Sequence, residues 1–150
     1  MNKNEIKSYG IRTDKSMQTV VKLERLRLKI LNATVEYLSQ HDLTFNQFKV
    51  LEVLYHRGDL NISSITKLTM STPGNITVVV KNLKKGGWIS TIKDPKDSRA
   101  SILSISSKGI DVISNVFPNH ANNLKNTFNV LDDEELNTLY NLLDKVYKEN

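Results

Sequence analysis

The sequence predicts a mainly α chain with a small two-stranded β wing, a winged helix-turn-helix set between N- and C-terminal dimerisation helices. Three observations carry that expectation. Apolar residues recur at helical spacing over both ends of the chain; two capped helices, the first of them short, stand back to back across residues 61–85; and beyond Gly87 the period falls from 3.6 to 2. A chain of 150 residues suffices for one domain, or two closely joined lobes, with an adequate core. The pattern divides it into an arm and dimerisation helix (1–40), a winged helix-turn-helix lobe (41–106) and C-terminal dimerisation helices (107–150).

Residues 1 to about 14 are polar and mixed, broken by Gly10, and predict a loose arm. From about Asp14 to Gln40 the chain reads as one long helix with two apolar stripes. Leu23, Leu26, Ile30, Ala33 and Tyr37 form one, and Val21, Leu28, Leu31, Val35 and Leu38 the other. Two stripes require two partners, and a small chain seldom covers so long a helix from both sides, so one stripe is expected to meet a second copy of the chain. The next helix opens at Thr44 and Gln47, spaced for a capping box, with Leu43 and Phe48 at the positions of a hydrophobic staple. Phe48, Leu51, Leu54 and Tyr55 are its expected inner face and Gly58 its end. Asn61 can cap a short helix with Ile62, Ile65 and Leu68 inward, and Met70-Ser71 turns the chain into the helix that follows.

That helix runs from Thr72 to Lys85. Thr72 supplies a capping oxygen, Pro73 takes the first helical position, where its missing N–H costs nothing, and Gly86 and Gly87 end it. On a 3.6-residue wheel Ile76, Val79, Val80 and Leu83 share one side; Gly74, Val78, Lys81 and Lys85 share the other, flanked by Asn75, Thr77 and Asn82. The outer set suits a major groove, whose base edges offer donors, acceptors and the thymine methyl to Asn, Thr, Lys and a small apolar side chain. A merely solvated face has no use for Val78, and Gly74 lets the backbone approach closely. An amphipathic surface helix whose Val78 meets another part of the fold fits the same wheel equally well.

Trp88 to Lys93 and Ala100 to Ile105 alternate and are rich in β-branched residues around the charged turn Asp94-Pro95-Lys96-Asp97-Ser98-Arg99. As a wing, this hairpin would place Lys96 and Arg99 on phosphates or in a minor groove; as a plain hairpin it would hold a solvated Asp–Arg pair. Residues 107 to about 130 read as a helix with Ile110, Ile113, Phe117, Leu124 and Phe128 inward, kinked or split at Pro118. Asp132 to Glu135 favour the macrodipole at the start of a last helix striped by Leu136, Leu139, Tyr140, Leu143, Val146 and Tyr147. With no spaced His or further carboxylate beside them, these acids read as helix-start residues and not as a metal site.

The net charge is +5, and residues 61–100 alone hold seven basic side chains against two acidic, while residues 101–150 are net acidic. Positive charge is therefore concentrated around the helix from Thr72, as a phosphate-binding face requires. The absence of cysteine excludes disulfides, zinc–thiolate sites, a cysteine nucleophile and thiol-based oxidant sensing. No apolar run approaches membrane-spanning length and Met1 to Asn4 lack an apolar signal core, so a cytoplasmic protein with no membrane partner is expected. His41, His56 and His120 are scattered, and no phosphate loop or metal-spaced cluster appears, so neither enzymatic chemistry nor a cofactor is expected.

Over residues 15–148 the order of elements resembles the MarR family of winged-helix transcription regulators. Leu43-Thr44 with Gln47-Phe48-Lys49-Val50-Leu51 is similar to that family's second-helix opening, Ser71-Thr72-Pro73-Gly74-Asn75-Ile76-Thr77 to its reading-helix start, and Gly87-Trp88-Ile89 to the exit into the wing. The tip is similar to the family's Asp-x-Arg-Asp-x-Arg signature, with Lys96 in the first Arg position, which keeps the charge but loses a planar fork and leaves Arg99 as the stronger minor-groove candidate. The resemblance implies a homodimer joined through its first and last two helices, acting on a pseudo-palindromic operator in double-stranded DNA, repressing a nearby operon and released by a small aromatic or lipophilic ligand bound between the lobes. Together these readings set Ser71, Thr72, Pro73, Gly74, Asn75, Thr77, Val78, Lys81, Lys84, Lys85, Lys96, Ser98 and Arg99 against DNA, and Tyr37, His41, Phe45 and Tyr55 near the ligand cleft. The alternative is a winged helix that binds another protein and no DNA, because fold does not fix function. It leaves the basic face around Lys81 and Lys85, and Arg99, without a purpose.

Overall fold

The first helix, α1 (Ile11–Ser39), starts earlier than its sequence suggests, because Asp14 takes the place of a capping residue. Its carboxylate accepts the Ser8 hydroxyl at 2.6 Å and the Tyr9 N–H at 2.9 Å, which folds residues 8 and 9 over the first turn and holds the Asp14 carboxyl below its usual pKa. The arm expected to be loose as far as residue 14 is thus helical from Ile11. The computed structural model describes residues 7–94 and 101–149 of the chain.

Each of the next three helices is opened by the cap read from the sequence. In α2 (Phe45–Arg57) the Thr44 hydroxyl oxygen accepts the Gln47 N–H at 3.2 Å and the Gln47 side-chain oxygen accepts the Thr44 N–H at 2.9 Å, while Leu43 and Phe48 are both buried as a staple requires. Asn61 caps α3 (Ile62–Leu68) by accepting from the Ser64 N–H at 2.8 Å, and Thr72 caps α4 (Pro73–Lys85) by accepting from the Asn75 N–H at 3.3 Å. Two longer helices close the chain, α5 (Ser107–Phe128) and α6 (Asp133–Lys148), the latter opened by a reciprocal Asp132–Glu135 capping box. Among the described residues no helix is long and apolar enough to cross a membrane.

The wing is larger than the expected two strands. β2 (Ile89–Lys93) and β3 (Ser101–Ile105) pair antiparallel with Ile89 opposite Ile105 and Lys93 opposite Ser101, and a short β1 (Leu60–Asn61) joins the free edge of β3 with Leu60 opposite Leu103. The sheet order is β1-β3-β2. Two residues carry too little periodicity to announce a strand, and Asn61 was legible only as a cap. Their pairing puts Leu103 in the sheet centre, fully buried.

The core lies in this lobe. Phe48, Val50, Leu51 and Leu54 of α2 meet Ile65 of α3, the inner face Ile76, Val79, Val80 and Leu83 of α4, and Ile113 and Val116 of α5. Four residues expected inward are instead exposed: Tyr55, Ile62, Leu68 and Ile110. α3 is only seven residues long and reaches the core through Ile65 alone. Tyr55 sits on the last turn of α2, beyond the core, and Ile110 falls one position off the stripe Gly109, Ile113, Val116 and His120 that α5 buries. Pro118 does not split α5, which continues from Ser107 to Phe128; its ring stands on the exposed side, where loss of one N–H leaves the rest of the ladder in place.

The first turn of α5 is fastened to the end of α4. Ser106 donates its hydroxyl to the Gly87 carbonyl at 2.7 Å and its N–H to the Trp88 carbonyl at 3.0 Å, while the Lys108 ammonium donates to the Gly86 carbonyl at 2.8 Å. Gly109 makes this approach possible: a Cβ there would stand 2.3 Å from the Trp88 carbonyl oxygen and 2.8 Å from Ile105 Cγ1. Backbone cannot yield as a flexible side chain can, so Gly109→Ala is expected to cost roughly 1–3 kcal/mol of stability by overpacking. An unchanged urea midpoint would show that the junction has slack.

Candidate nucleic-acid interface

The exposed side of α4 carries the residues its wheel assigned to it. Gly74, Asn75, Thr77, Val78, Lys81, Lys84 and Lys85 are all exposed, with Val78 58% accessible. A Cβ on Gly74 would meet nothing within 4 Å, so the fold itself has no use for glycine at this position. The Thr77 hydroxyl donates to the Pro73 carbonyl at 2.8 Å, leaving its oxygen free to accept. The last turn adds Lys84 and Lys85, and from Asn61 to Lys93 the sequence contains five lysines and no acid, so nothing on this stretch neutralises the face locally. Ser71 and Thr72 stand at the helix entry, where N–H groups and the positive end of the helix dipole favour a phosphate.

β2 and β3 stay paired as far as Lys93 and Ser101. Lys96, Ser98 and Arg99 lie outside the described residues.

A cleft of about 560 Å³ is walled by Ile30, Leu31 and Thr34 of α1, Phe45, Phe48, Lys49 and Glu52 of α2, the α3–α4 turn, and His120 and Leu124 of α5. Of the four residues assigned to a ligand cleft, Phe45 alone lines it. Tyr37 is occupied in structure, its hydroxyl donating to the Val116 carbonyl at 3.0 Å and its ring edge-on to His41 at 4.9 Å; Tyr55 packs edge-on against His56 at 5.1 Å.

Lys49, Glu52 and His120 were missed by sequence reasoning. His120 follows Ile113 and Val116 at helical spacing, so the apolar stripe of α5 could have found it had histidine been counted as a core residue. It is buried with its ring 4.8 Å from that of Phe48, and burial pushes its pKa down. Burial likewise raises the Glu52 carboxyl, with the nearby His56 opposing, and lowers the Lys49 ammonium. No sequence signal marks Lys49, because its partners lie about twenty positions away.

Among the described residues two further helix faces carry exposed apolar side chains. α6 buries none of its residues, leaving Leu136, Tyr140, Leu143, Val146 and Tyr147 exposed along one side, and α1 exposes Met17, Val20, Val21, Leu23, Leu28 and Val35. Contiguous apolar stripes of this length mark interaction surfaces.

Comparison with known proteins agrees with this geometry. The family model described as MarR family matches residues 43–101. The HTH-type transcriptional regulator MhqR of Bacillus subtilis (strain 168) is 31% identical over 134 residues, 89% of this chain and 92% of that protein. Among solved structures, a mutant MarR from E. coli complexed with operator DNA superposes with a TM-score of 0.79 at 22% identity, covering 91% of this chain and 99% of that one. A MepR–DNA complex from S. aureus gives 0.77 at 20% identity, with coverage of 86% and 95%.

Proposed function

The chain belongs to the MarR family of transcriptional regulators, and from that premise we propose that two copies bind a pseudo-palindromic operator in double-stranded DNA and repress transcription from it. The observation that carries this reading is the outer face of α4, where an accessible valine and a glycine the fold does not need sit among Asn75, Thr77 and exposed lysines. Val78 and Asn75 read base edges; Ser71, Thr72, Lys81, Lys84 and Lys85 take phosphates; Pro73 and Gly74 shape the close approach. Lys96, Ser98 and Arg99 at the wing tip reach the flanking DNA, with Arg99 in the minor groove. Solved relatives of the same fold hold operator DNA and DNA respectively, which supports the same mode here. The exposed stripes of α1 and α6 join the two copies, and the cleft around Phe45 receives a small apolar ligand that releases the DNA.

The test is a binding titration of the DNA upstream of the chain's own gene against an unrelated duplex at several salt concentrations. Specific binding with a log–log salt slope of about 0.9 per phosphate contact is expected. Equal affinity for both duplexes at physiological salt would sink the reading. In the same assay Arg99→Lys, which keeps the charge but not the planar fork, should lose the preference for A·T-rich flanks, where narrow minor grooves concentrate negative potential.

A further inference from the structure

α3 ends in a form that ordinarily asks for glycine. The Ser71 N–H donates to the Thr66 carbonyl at 3.0 Å and the Met70 N–H to the Lys67 carbonyl at 3.2 Å, the paired bonds of a Schellman motif, which sets the residue after the cap in the left-handed region. That residue is Met70, at φ 51°. Glycine takes this conformation without steric cost and asparagine with little, whereas a longer side chain is strained there. Lys49 of α2 holds the turn in this shape, its ammonium donating to the Thr69 carbonyl at 2.8 Å and to the Ser71 hydroxyl at 3.2 Å.

Burial does not offset that strain. Met70 is 90% exposed, so its side chain adds almost no buried area to the fold, and a strained residue that the fold does not use points to a role outside it. Its position says where that role lies. Ser71 and Thr72, the entry of α4, follow it directly, and Met70 lines a groove of about 550 Å³ together with Ser71, Pro73 and, from α3, Ile62, Ser63 and Lys67. Lys67 is exposed, and the sequence from Asn61 to Lys93 contains no acid. A groove that continues the entry of the reading helix, with apolar side chains and one cation, matches a sugar–phosphate strand, apolar along the deoxyribose and anionic at each phosphate.

We propose that this groove is a second DNA contact, separate from the outer face of α4: Met70 lies against a deoxyribose of the strand that passes the entry of α4, and Lys67 holds the phosphate beside it. Neither residue reads a base. Together they fix how deeply and in what register α4 enters the major groove, as backbone contacts do. The proposal rests on the DNA-binding reading above and adds to it two positioning residues outside the reading helix.

Operator affinity by fluorescence anisotropy and stability by urea unfolding, measured on the full chain, separate this contact from the fold. Met70→Gly and Met70→Asn should each leave the urea midpoint unchanged or raise it, because both residues suit the left-handed region, and yet bind operator about tenfold more weakly with an unchanged salt slope. The asparagine variant checks the glycine one: if glycine alone weakened binding, the cause would be a slack turn and not a lost side chain. Met70→Leu, which keeps an apolar side chain, should lose no more than about threefold. Lys67→Ala should weaken all sequences alike and flatten the salt slope by about one. Hydrogen peroxide gives an independent readout, since the thioether sulfur takes one oxygen as the O–O bond breaks and water leaves, and mass spectrometry locates the sulfoxide. Operator duplex should slow this oxidation several-fold at Met70 while Met17 on α1 keeps its rate. A lowered urea midpoint in Met70→Gly, wild-type affinity in either Met70→Gly or Met70→Asn, a Met70→Leu as weak as Met70→Gly, an unchanged slope in Lys67→Ala, or equal oxidation of Met70 with and without operator would each overturn the proposal. A wild type without operator preference would instead sink the reading on which it rests.

Discussion

Removing residues 132–150 is expected to abolish dimerisation and, with it, operator binding, while leaving the helix-turn-helix lobe folded. α6 places none of its residues in the core of the single chain, so its loss removes no buried contact from the lobe, and Leu38, Phe48, Leu51, Leu83 and Leu103 keep their neighbours. What it does remove is the exposed stripe Leu136, Tyr140, Leu143, Val146 and Tyr147. A monomer then has one reading helix and one half-site. The second half-site contributes through effective concentration, which raises overall affinity by a factor of about 10² to 10⁴, so the truncated chain should fall to near non-specific binding. Leu143→Asp, which buries a charge in the same contact, should do likewise without shortening the chain. Sedimentation at micromolar concentration decides: a full-length chain that runs only at 17.1 kDa, or a truncated one that still pairs, would refute the assignment of α6.

Asn75→Ala and Val78→Ala should each change which base pairs are preferred, by roughly 1–3 kcal/mol for a good specific contact, whereas Lys85→Ala should weaken all sequences alike and flatten the salt slope by about one. The contrast follows from position. Asn75 and Val78 lie on the first two turns of α4, ahead of the lysines of the last turn, and both point away from the core that Ile76 and Val79 fill. Neither substitution removes a buried group, so a change in specificity would report the groove and not the fold. The readout is affinity across a panel of single-base operator variants. Val78→Ala binding them with unchanged rank and strength would mean that the exposed valine serves some other surface.

The sequence made the caps and the reading helix legible because those features are local. Thr44 with Gln47, Asn61, and Thr72 before Pro73 are each decided within four residues, and the structure satisfies every one of them. The inner face of α4 was equally plain, since Ile76, Val79, Val80 and Leu83 fit one periodicity with no competitor. Features built from distant residues were not legible. The pairing of Leu60 with Leu103 spans the lobe, the tie from Lys49 to Thr69 and Ser71 crosses from one helix to a turn, and His120 joins Phe48 across the cleft. Tyr37 and Tyr55, assigned near a ligand cleft, do not line this one: Tyr37 bonds the Val116 carbonyl and Tyr55 packs edge-on against His56.

The seam at Gly109 makes any tilt of α5 a displacement of α4. Its first turn is held to the exit of the reading helix through Ser106, Lys108 and the glycine contact, so the near end cannot slide independently of α4. A helix of 22 residues is about 33 Å long at 1.5 Å per residue, so a tilt of one degree about its far end swings the near end by about 0.6 Å. Six such degrees amount to about one base-pair step of 3.4 Å along the duplex axis. In the middle of this arm Pro118 leaves the Ser114 carbonyl without its helical N–H. If two copies pair as proposed, the distance between their α4 helices depends on the tilt of two such arms, and Pro118→Ala, which restores that N–H, should narrow the range of half-site spacings the pair can straddle.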